Sequence, residues 1–125
     1  MTPTGLSRLA QVALHVRDLE RAVAFYRDTL GMPFLFQAPP KMAFFDCGGV
    51  RLLIGEAQAG EAPRGGYLYF AVDDIAAEHA RLAAAGVAFK SGPTRIAKLP
   101  DREVWLAEFD DGEGNALALM SEPRL

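Results

Sequence analysis

The sequence predicts an α+β fold in which two βαβββ modules form one curved mixed sheet around a concave cavity. The first observation is a repeat: an apolar strand followed by Val-x-Asp-(Leu/Ile) occurs at residues 11–19 and again at residues 67–75. The second is that a helical apolar spacing follows each copy. The third is a pair of apolar strands joined by a Gly-bearing turn, at residues 42–54 and 107–119. A repeated supersecondary unit indicates that one copy cannot bury its sheet face alone.

Each helix has a start signal and a stop signal. Asp18 and Asp74 stand at the N-cap positions, where a carboxylate can accept hydrogen bonds from the first free backbone N–H groups. Gly31 and Gly86 follow the last apolar residues, and glycine suits the left-handed conformation that ends many helices. The pattern therefore predicts one helix in each module.

A short strand is predicted after each helix, over residues 32–37 in the first copy and 87–92 in the second. The second copy has extra residues before its hairpin. We assign them to residues 94–103, because Pro100 and a cluster of charges interrupt regular structure there.

The segment between the copies, residues 55–66, is rich in Gly, Pro and small residues and is predicted to be a linker. Module one then covers about residues 8–56 and module two about residues 65–122. Both belong to a single predicted domain over residues 1–125, which is a usual length for one domain.

Composition and charge exclude several classes of partner. The net charge is −3 and neither Lys nor Arg forms a run, which argues against a nucleic-acid or anionic-membrane surface. No apolar run approaches the roughly 20 residues that span a bilayer. The opening residues lack the pattern of a signal peptide, so we expect a cytoplasmic protein. The single cysteine, Cys47, excludes an intrachain disulfide and a Cys-cluster metal site.

Three stretches resemble the vicinal oxygen chelate superfamily of glyoxalase I, bleomycin-resistance proteins and extradiol dioxygenases. They read "VALHVRDLERAVAFYRDTLGM", "YFAVDDIAAEHARLAAAGV" and "FDDGEGNALALM". The third resembles the family pattern F-x-D-P-D-G-N-x-x-E-L, with Gly112 for Pro, Glu113 for Asp and Ala118 for Glu. The resemblance spans roughly residues 8–122 and implies this fold and a homodimer. It does not by itself imply one chemistry, because the fold hosts several.

The resemblance also implies where a divalent cation would bind. Metal-binding members take four ligands from the first and last strands of each module, and these positions here are Gln11, Leu53, Tyr67 and Ala118. His15 lies outside the ligand position. A divalent cation needs several oxygen or imidazole ligands, which Leu and Ala cannot supply. We therefore predict no metal and no cofactor.

Strand alternation selects the residues that would face the concave side. Tyr67 and Tyr69 would provide apolar walls with polar tips. Arg51 could clamp a carboxylate or phosphate, although an arginine whose stem covers the surface is an equal alternative. The predicted lining consists of Gln11, His15, Arg51, Leu53, Tyr67, Tyr69, Glu108 and Ala118.

Two lining residues have alternative interpretations. His15 is either a half-buried histidine with one hydrogen bond or a ligand donor or general base. Trp105 and Phe109 belong to the opposite face of the same predicted strand. If that face packs under the helices, Glu108 faces the cavity and is a candidate acid or base. His79 is interpreted as a packing residue of the second helix.

The predicted function is the binding of a small organic molecule by a metal-free homodimer similar to the bleomycin-resistance proteins. The alternative is a lyase or isomerase that uses His15, Tyr67 or Glu108 as acid–base groups. A metal-dependent glyoxalase or dioxygenase is disfavoured by the four positions above. The cavities would form either within each chain or across the dimer.

Overall fold

Two modules with the same element order follow one another in the computed structural model, which describes residue 6, residues 8–57 and residues 65–125. Module one contains β1 (Gln11–Val16), α1 (Leu19–Ala24) with a π-helical turn (Phe25–Thr29), β2 (Phe34–Ala38), β3 (Met42–Cys47) and β4 (Val50–Glu56). Module two contains β5 (Tyr67–Ala71), α2 (Ile75–Ala84), β6 (Thr94–Lys98), β7 (Glu103–Asp110) and β8 (Ala116–Ser121). The α+β class and the two βαβββ modules are confirmed.

Each module forms its own four-stranded mixed sheet. The strand orders are β1-β4-β3-β2 and β5-β8-β7-β6. In each sheet the first strand pairs with the last strand in parallel, and the other pairs are antiparallel. Within the described ranges no strand pairing joins the two sheets, so the single sheet expected from the sequence is two curved sheets.

The predicted helix caps are present. The Asp18 carboxylate accepts a hydrogen bond from the backbone N–H of Arg21 at 3.1 Å, and the Asp74 carboxylate accepts one from Ala77 at 3.0 Å. Gly31 has a φ of 75° at the end of the first helical segment. Both helices are short, and none in the described part of the chain is long and apolar enough to cross a membrane.

The strand predicted over residues 87–92 is wrong. Val87 is buried in the core, and the ring of Phe89 packs against His79 at 4.3 Å between centroids. Both apolar side chains therefore serve core packing, and this segment is irregular. The second strand of module two is β6, which lies in the segment predicted to be an insertion.

Part of the segment predicted to be a linker belongs to a strand. Gly55 and Glu56 belong to β4 and extend its parallel pairing with β1. Residues 58–64 lie outside the described residues.

The two modules share one hydrophobic core. Alternate residues of the strands point to it from both sheets, together with one face of each helix. Its largest fully buried side chains include Tyr26, Phe45, Phe109, Ile54, Leu82 and Leu117. Because each sheet contributes one face to this core, the opposite, concave face of each sheet lies outside it.

The turn between β7 and β8 links module two to the start of α1. Glu113 is buried, and its carboxylate accepts hydrogen bonds from the backbone N–H groups of Arg17 at 2.8 Å and Asp18 at 2.9 Å. The Arg21 guanidinium, which is largely exposed, donates to the same carboxylate. Burial alone would raise the pKa of Glu113, but these three donors outweigh it and hold the pKa below its usual value.

Asp111 makes a second link from this turn. Its carboxylate accepts hydrogen bonds from the Tyr26 hydroxyl at 2.8 Å and the Asn115 amide at 2.7 Å. The Asn115 amide also donates to the backbone carbonyl of His15 at 2.8 Å. All three side chains are buried, so the turn is fixed by satisfied polar contacts to both modules.

Candidate functional site

The strand register of the first sheet places four predicted residues on its concave face. Gln11 pairs with Arg51, and His15, four residues further along β1, pairs with Gly55. Leu53 lies between them on β4 and pairs with Phe44 on β3. These residues share one face because partners in a ladder point to the same side of a sheet.

Arg51 is the charged group of this face. Its Nε donates a hydrogen bond to the Gln11 side-chain oxygen at 2.8 Å, and its Cζ lies 5.8 Å from the ring centroid of Phe44. Phe44 stacks on Phe36 with 4.6 Å between centroids. Asp46, the cross-strand neighbour of Arg51, directs its carboxylate to the backbone N–H of Gly49. Among the described residues no carboxylate lies within 4.0 Å of the guanidinium.

Sequence reasoning did not select Phe36 and Phe44. The signal was available for Phe44, since strand alternation along β3 places it opposite Leu53. The two rings and the guanidinium above them form an aromatic surface with a positive edge.

The second sheet carries a pair of stacked tyrosines on its concave face. The rings of Tyr67 and Tyr69 lie 4.9 Å apart with an interplanar angle of 21°. They are 43% and 54% exposed, which is high for large aromatic residues. Tyr69 pairs with Ala118, and Ala118 in turn pairs with Glu108, so the register turns Glu108 to the same face.

Tyr67 and Glu108 are joined across the intervening strand. The Tyr67 hydroxyl donates to Glu108 Oε2 at 2.6 Å, and β8 lies between their strands. Ala118 on β8 is completely buried. The hydrogen bond to Glu108 raises the pKa of Tyr67 to about 12, because loss of the proton would place two negative charges side by side. The tyrosine therefore remains a neutral donor at physiological pH.

Glu108 keeps free acceptor capacity. A carboxylate has two oxygens, and the contact described uses Oε2. Lys, Arg and His nitrogens of the described ranges lie beyond 4.0 Å from it. This side of the second sheet is thus an aromatic surface with a negative edge, able to accept a hydrogen bond or a proton.

The four family positions for metal ligands do not fit a divalent cation. The Gln11 side-chain oxygen accepts a hydrogen bond from Arg51, and the Tyr67 hydroxyl donates one to Glu108. Leu53 and Ala118 carry no donor atom. In the described part of the chain there is also no group of three or more His, Cys, Asp and Glu side chains placed to hold a metal.

Five of the predicted lining residues form two clusters, one on each sheet. Gln11 and Arg51 form the first, and Tyr67, Tyr69 and Glu108 form the second around Ala118. The clusters meet at a cavity of about 180 Å³ that both Arg51 and Tyr69 line. Its other walls are apolar and come from both modules: Val12, Cys47, Val50, Leu52, Leu68 and Phe70.

His15 and Cys47 have different surroundings. His15 is half-buried at the far end of β1, next to Gly55. Cys47 also lines a separate apolar cleft of about 250 Å³ between the modules, together with Met32, Leu82 and Phe109. Burial raises the pKa of the Cys47 thiol, so it is held in its unreactive protonated form.

Comparison with known proteins shows a family match and several similar folds. The profile described as "Glyoxalase/Bleomycin resistance protein/Dioxygenase superfamily" matches residues 8–119. An uncharacterised Bacillus subtilis (strain 168) protein, YraH, is 28% identical over 129 residues, covering 90% of this chain and 96% of that protein.

Two of the similar solved structures have descriptive names. Lactoylglutathione lyase from Agrobacterium tumefaciens has a TM-score of 0.74 and 26% identity, covering 94% of this chain and 95% of that chain. TnmS3, an antibiotic binding protein from Streptomyces sp. CB03234, has a TM-score of 0.76 and 26% identity, covering 96% and 99%. The fold is thus shared by an enzyme and by a binding protein.

Proposed function

The chain belongs to the Glyoxalase/Bleomycin resistance protein/Dioxygenase superfamily, and from this premise we propose that it binds a small organic molecule without a metal ion. The observation that carries the proposal is the exposed, stacked pair Tyr67–Tyr69 beside Glu108, on the face where metal-binding members place their ligands. The similarity to an antibiotic binding protein supports binding as the function.

The metal-free part of the proposal follows from the chemistry of the four positions. Leu53 and Ala118 make the middle of each concave face apolar. Without a cation, a carboxylate at such a position would lose its hydration uncompensated, at a cost of several kcal/mol. Apolar residues at these positions are therefore consistent with a site that contacts the surface of an organic ligand and does not coordinate a metal ion.

The proposed binding mode uses the aromatic rings as a platform. A flat ligand lies on Tyr69 and Tyr67, and a polar end is oriented by Arg51, which lines the same cavity as Tyr69. His15, further along the concave face of the first sheet, is a second candidate for a polar contact. Such a mixture of apolar wall and few polar groups is usual for small-molecule sites.

We propose a homodimer whose second copy covers the concave faces. Both faces lie outside the core that the modules share, and the aromatic residues Phe36, Tyr67 and Tyr69 are exposed on them. The cavities would thus be completed across the dimer rather than within one chain. We further propose a single domain in the cytoplasm, without nucleic-acid partners, on the sequence grounds given above.

A thermal-shift screen of metabolites and antibiotics tests the proposal, because a ligand that binds only the folded state raises the melting temperature. For each hit, Tyr69→Ala and Tyr67→Ala should each weaken binding by more than about 1 kcal/mol, the order expected for a lost aromatic contact. Leu99→Ala, at another exposed apolar residue, is the control and should bind like the parent. Parent-like binding of every hit by both tyrosine variants would overturn the proposal.

The second candidate function is that of a lyase or isomerase. It is favoured by the Tyr67–Glu108 hydrogen bond, which places a carboxylate base next to a neutral phenol donor. Turnover of a bound hit by the parent, lost in Glu108→Gln while the hit still binds, would support an enzyme. Binding without any chemical change in the hit would favour the binding protein.

A further inference from the structure

A positive group and a negative group are each associated with one ring of the stacked tyrosine pair, the first through a shared cavity and the second through a hydrogen bond. Arg51 and Tyr69 line one cavity. Tyr69 stacks on Tyr67 at 4.9 Å, and Tyr67 donates to Glu108 at 2.6 Å. The order is therefore guanidinium, two aromatic rings, carboxylate.

Neither charge is neutralised by a partner in the described ranges. Arg51 contacts a neutral amide and an aromatic ring, and Glu108 contacts a neutral phenol. The ion pairs of the described residues lie elsewhere, for example between Arg95 and Glu103 at 3.1 Å on the strands β6 and β7. Both groups thus retain hydrogen-bonding capacity for a molecule that lies on the rings between them.

We propose that the ligand is a planar amphoteric molecule, with an acidic group directed to Arg51 and a basic group directed to Glu108. The inference rests on the proposed function and specifies its ligand class. The aromatic rings favour a flat body, the guanidinium fork suits a carboxylate or phosphate, and the Glu108 carboxylate suits an ammonium or amidinium group.

The same arrangement selects against ligands with one charge. A purely anionic ligand leaves Glu108 without a partner and is repelled by it when it extends over Tyr67. A purely cationic ligand meets the corresponding repulsion at Arg51. Like charges and unpaired charges within a binding surface reduce affinity for the wrong ligand, which adds to the selectivity that pairing gives for the right one.

Four naphthalene probes test the inference by isothermal titration calorimetry on the full chain. One carries a carboxylate at one end and an aminomethyl group at the other, one only the carboxylate, one only the aminomethyl group, and one a neutral hydroxymethyl group. We expect the amphoteric probe to bind about tenfold or more tighter than each of the other three.

Charge-removing variants assign each end. Arg51→Gln should weaken the two carboxylate probes about tenfold, and it should bind the aminomethyl-only probe more tightly because a like-charge repulsion is lost. Glu108→Gln should weaken the two aminomethyl probes about tenfold and should bind the carboxylate-only probe more tightly for the same reason. Two controls should change none of the affinities: Arg27→Gln, a guanidinium 6.0 Å from the Phe34 ring, and Glu122→Gln, an exposed carboxylate.

The outcomes separate this inference from the proposed function. If the neutral probe binds as tightly as the amphoteric probe and is weakened by Tyr69→Ala, the charge selection is wrong and the binding function stands. If no probe binds but the screen gives hits that depend on Tyr69, the inference again falls alone. If neither the probes nor the screen give binding that depends on the tyrosines, both proposals are overturned.

Discussion

A single hydrogen bond determines the chemistry of the second concave face. Tyr67 reaches over β8 to Glu108, and the buried Ala118 lies on the strand between them. A longer side chain at position 118 would compete for the space of this contact. The alanine that removes a family ligand position is therefore also the residue that allows the tyrosine and the glutamate to meet.

Glu108→Gln should lower the pKa of Tyr67 from about 12 towards the ordinary tyrosine value of about 10. The amide can still accept the hydrogen bond, but it no longer opposes the phenolate charge. Spectrophotometric titration of phenolate absorbance measures the change, and Tyr67→Phe identifies which transition belongs to Tyr67. Glu122→Gln is the control.

The raised pKa of Tyr67 has a defined effect on stability. The folded state holds the proton more tightly than the unfolded state, so the contribution is fully present below about pH 10 and is lost as the pH rises through about 12. An unchanged alkaline transition in Glu108→Gln would show that the two side chains do not interact in solution.

The donor set of the four family positions predicts the metal content. After incubation with Zn²⁺, Ni²⁺, Mn²⁺ or Fe²⁺ and desalting, elemental analysis should find far less than one ion per chain, because Leu53 and Ala118 provide no ligand. A tightly held ion near one equivalent would contradict the prediction.

At the scale of the elements, the β7–β8 turn is expected to contribute to stability through the buried Glu113 carboxylate. Glu113→Gln should lower the free energy of unfolding by about 1–3 kcal/mol, because two backbone N–H groups and Arg21 lose a charged acceptor. Urea denaturation at neutral pH measures it, with Glu122→Gln as the exposed control. Equal midpoints for the parent and Glu113→Gln would refute the link between the modules.

The difference in unfolding free energy between the parent and Glu113→Gln should depend on pH. The folded state lowers the pKa of Glu113, so its contribution is present above the ordinary glutamate pKa, about 4.3, and is lost as the pH falls through the lower value of the folded state. The parent and Glu113→Gln should therefore become more alike in stability at acid pH.

Local signals in the sequence were sufficient to predict most of the helices and strands. The caps at Asp18 and Asp74 and both Gly-bearing hairpins depend on neighbouring residues, and the structure contains them. The second strand of module two was misplaced because Val87 and Phe89 alternate as strand residues do. Their actual packing against α2 and the core depends on contacts distant in sequence.

In the candidate site, too, local patterns predicted some features, whereas others depend on contacts between residues distant in sequence. Alternation along each strand was enough to group Gln11 with Arg51 and to turn Glu108 outward. The Tyr67–Glu108 contact depends on the register of three strands, and the Glu113 contacts join residues more than 90 positions apart. Neither follows from a local pattern.

At the scale of the whole molecule, the shared core explains why the concave faces are open. The sheets and helices of both modules contribute to one cluster, so each sheet uses one face for the core and presents the other outward. The exposed Phe36, Tyr67 and Tyr69 rings are an apolar surface of the kind that a partner or ligand covers.

We expect light scattering at tens of micromolar protein to give twice the 13.5 kDa mass of the chain. If the second copy completes the site, a ligand bound to the dimer stabilises the dimer by mass action. A hit from the screen should then cause the dimer to dissociate only at a lower protein concentration. Tyr69→Ala should reduce this ligand effect, and Leu99→Ala should not. A monomeric parent at this concentration would contradict the dimer, and a ligand that binds without changing dissociation would place the site within one chain.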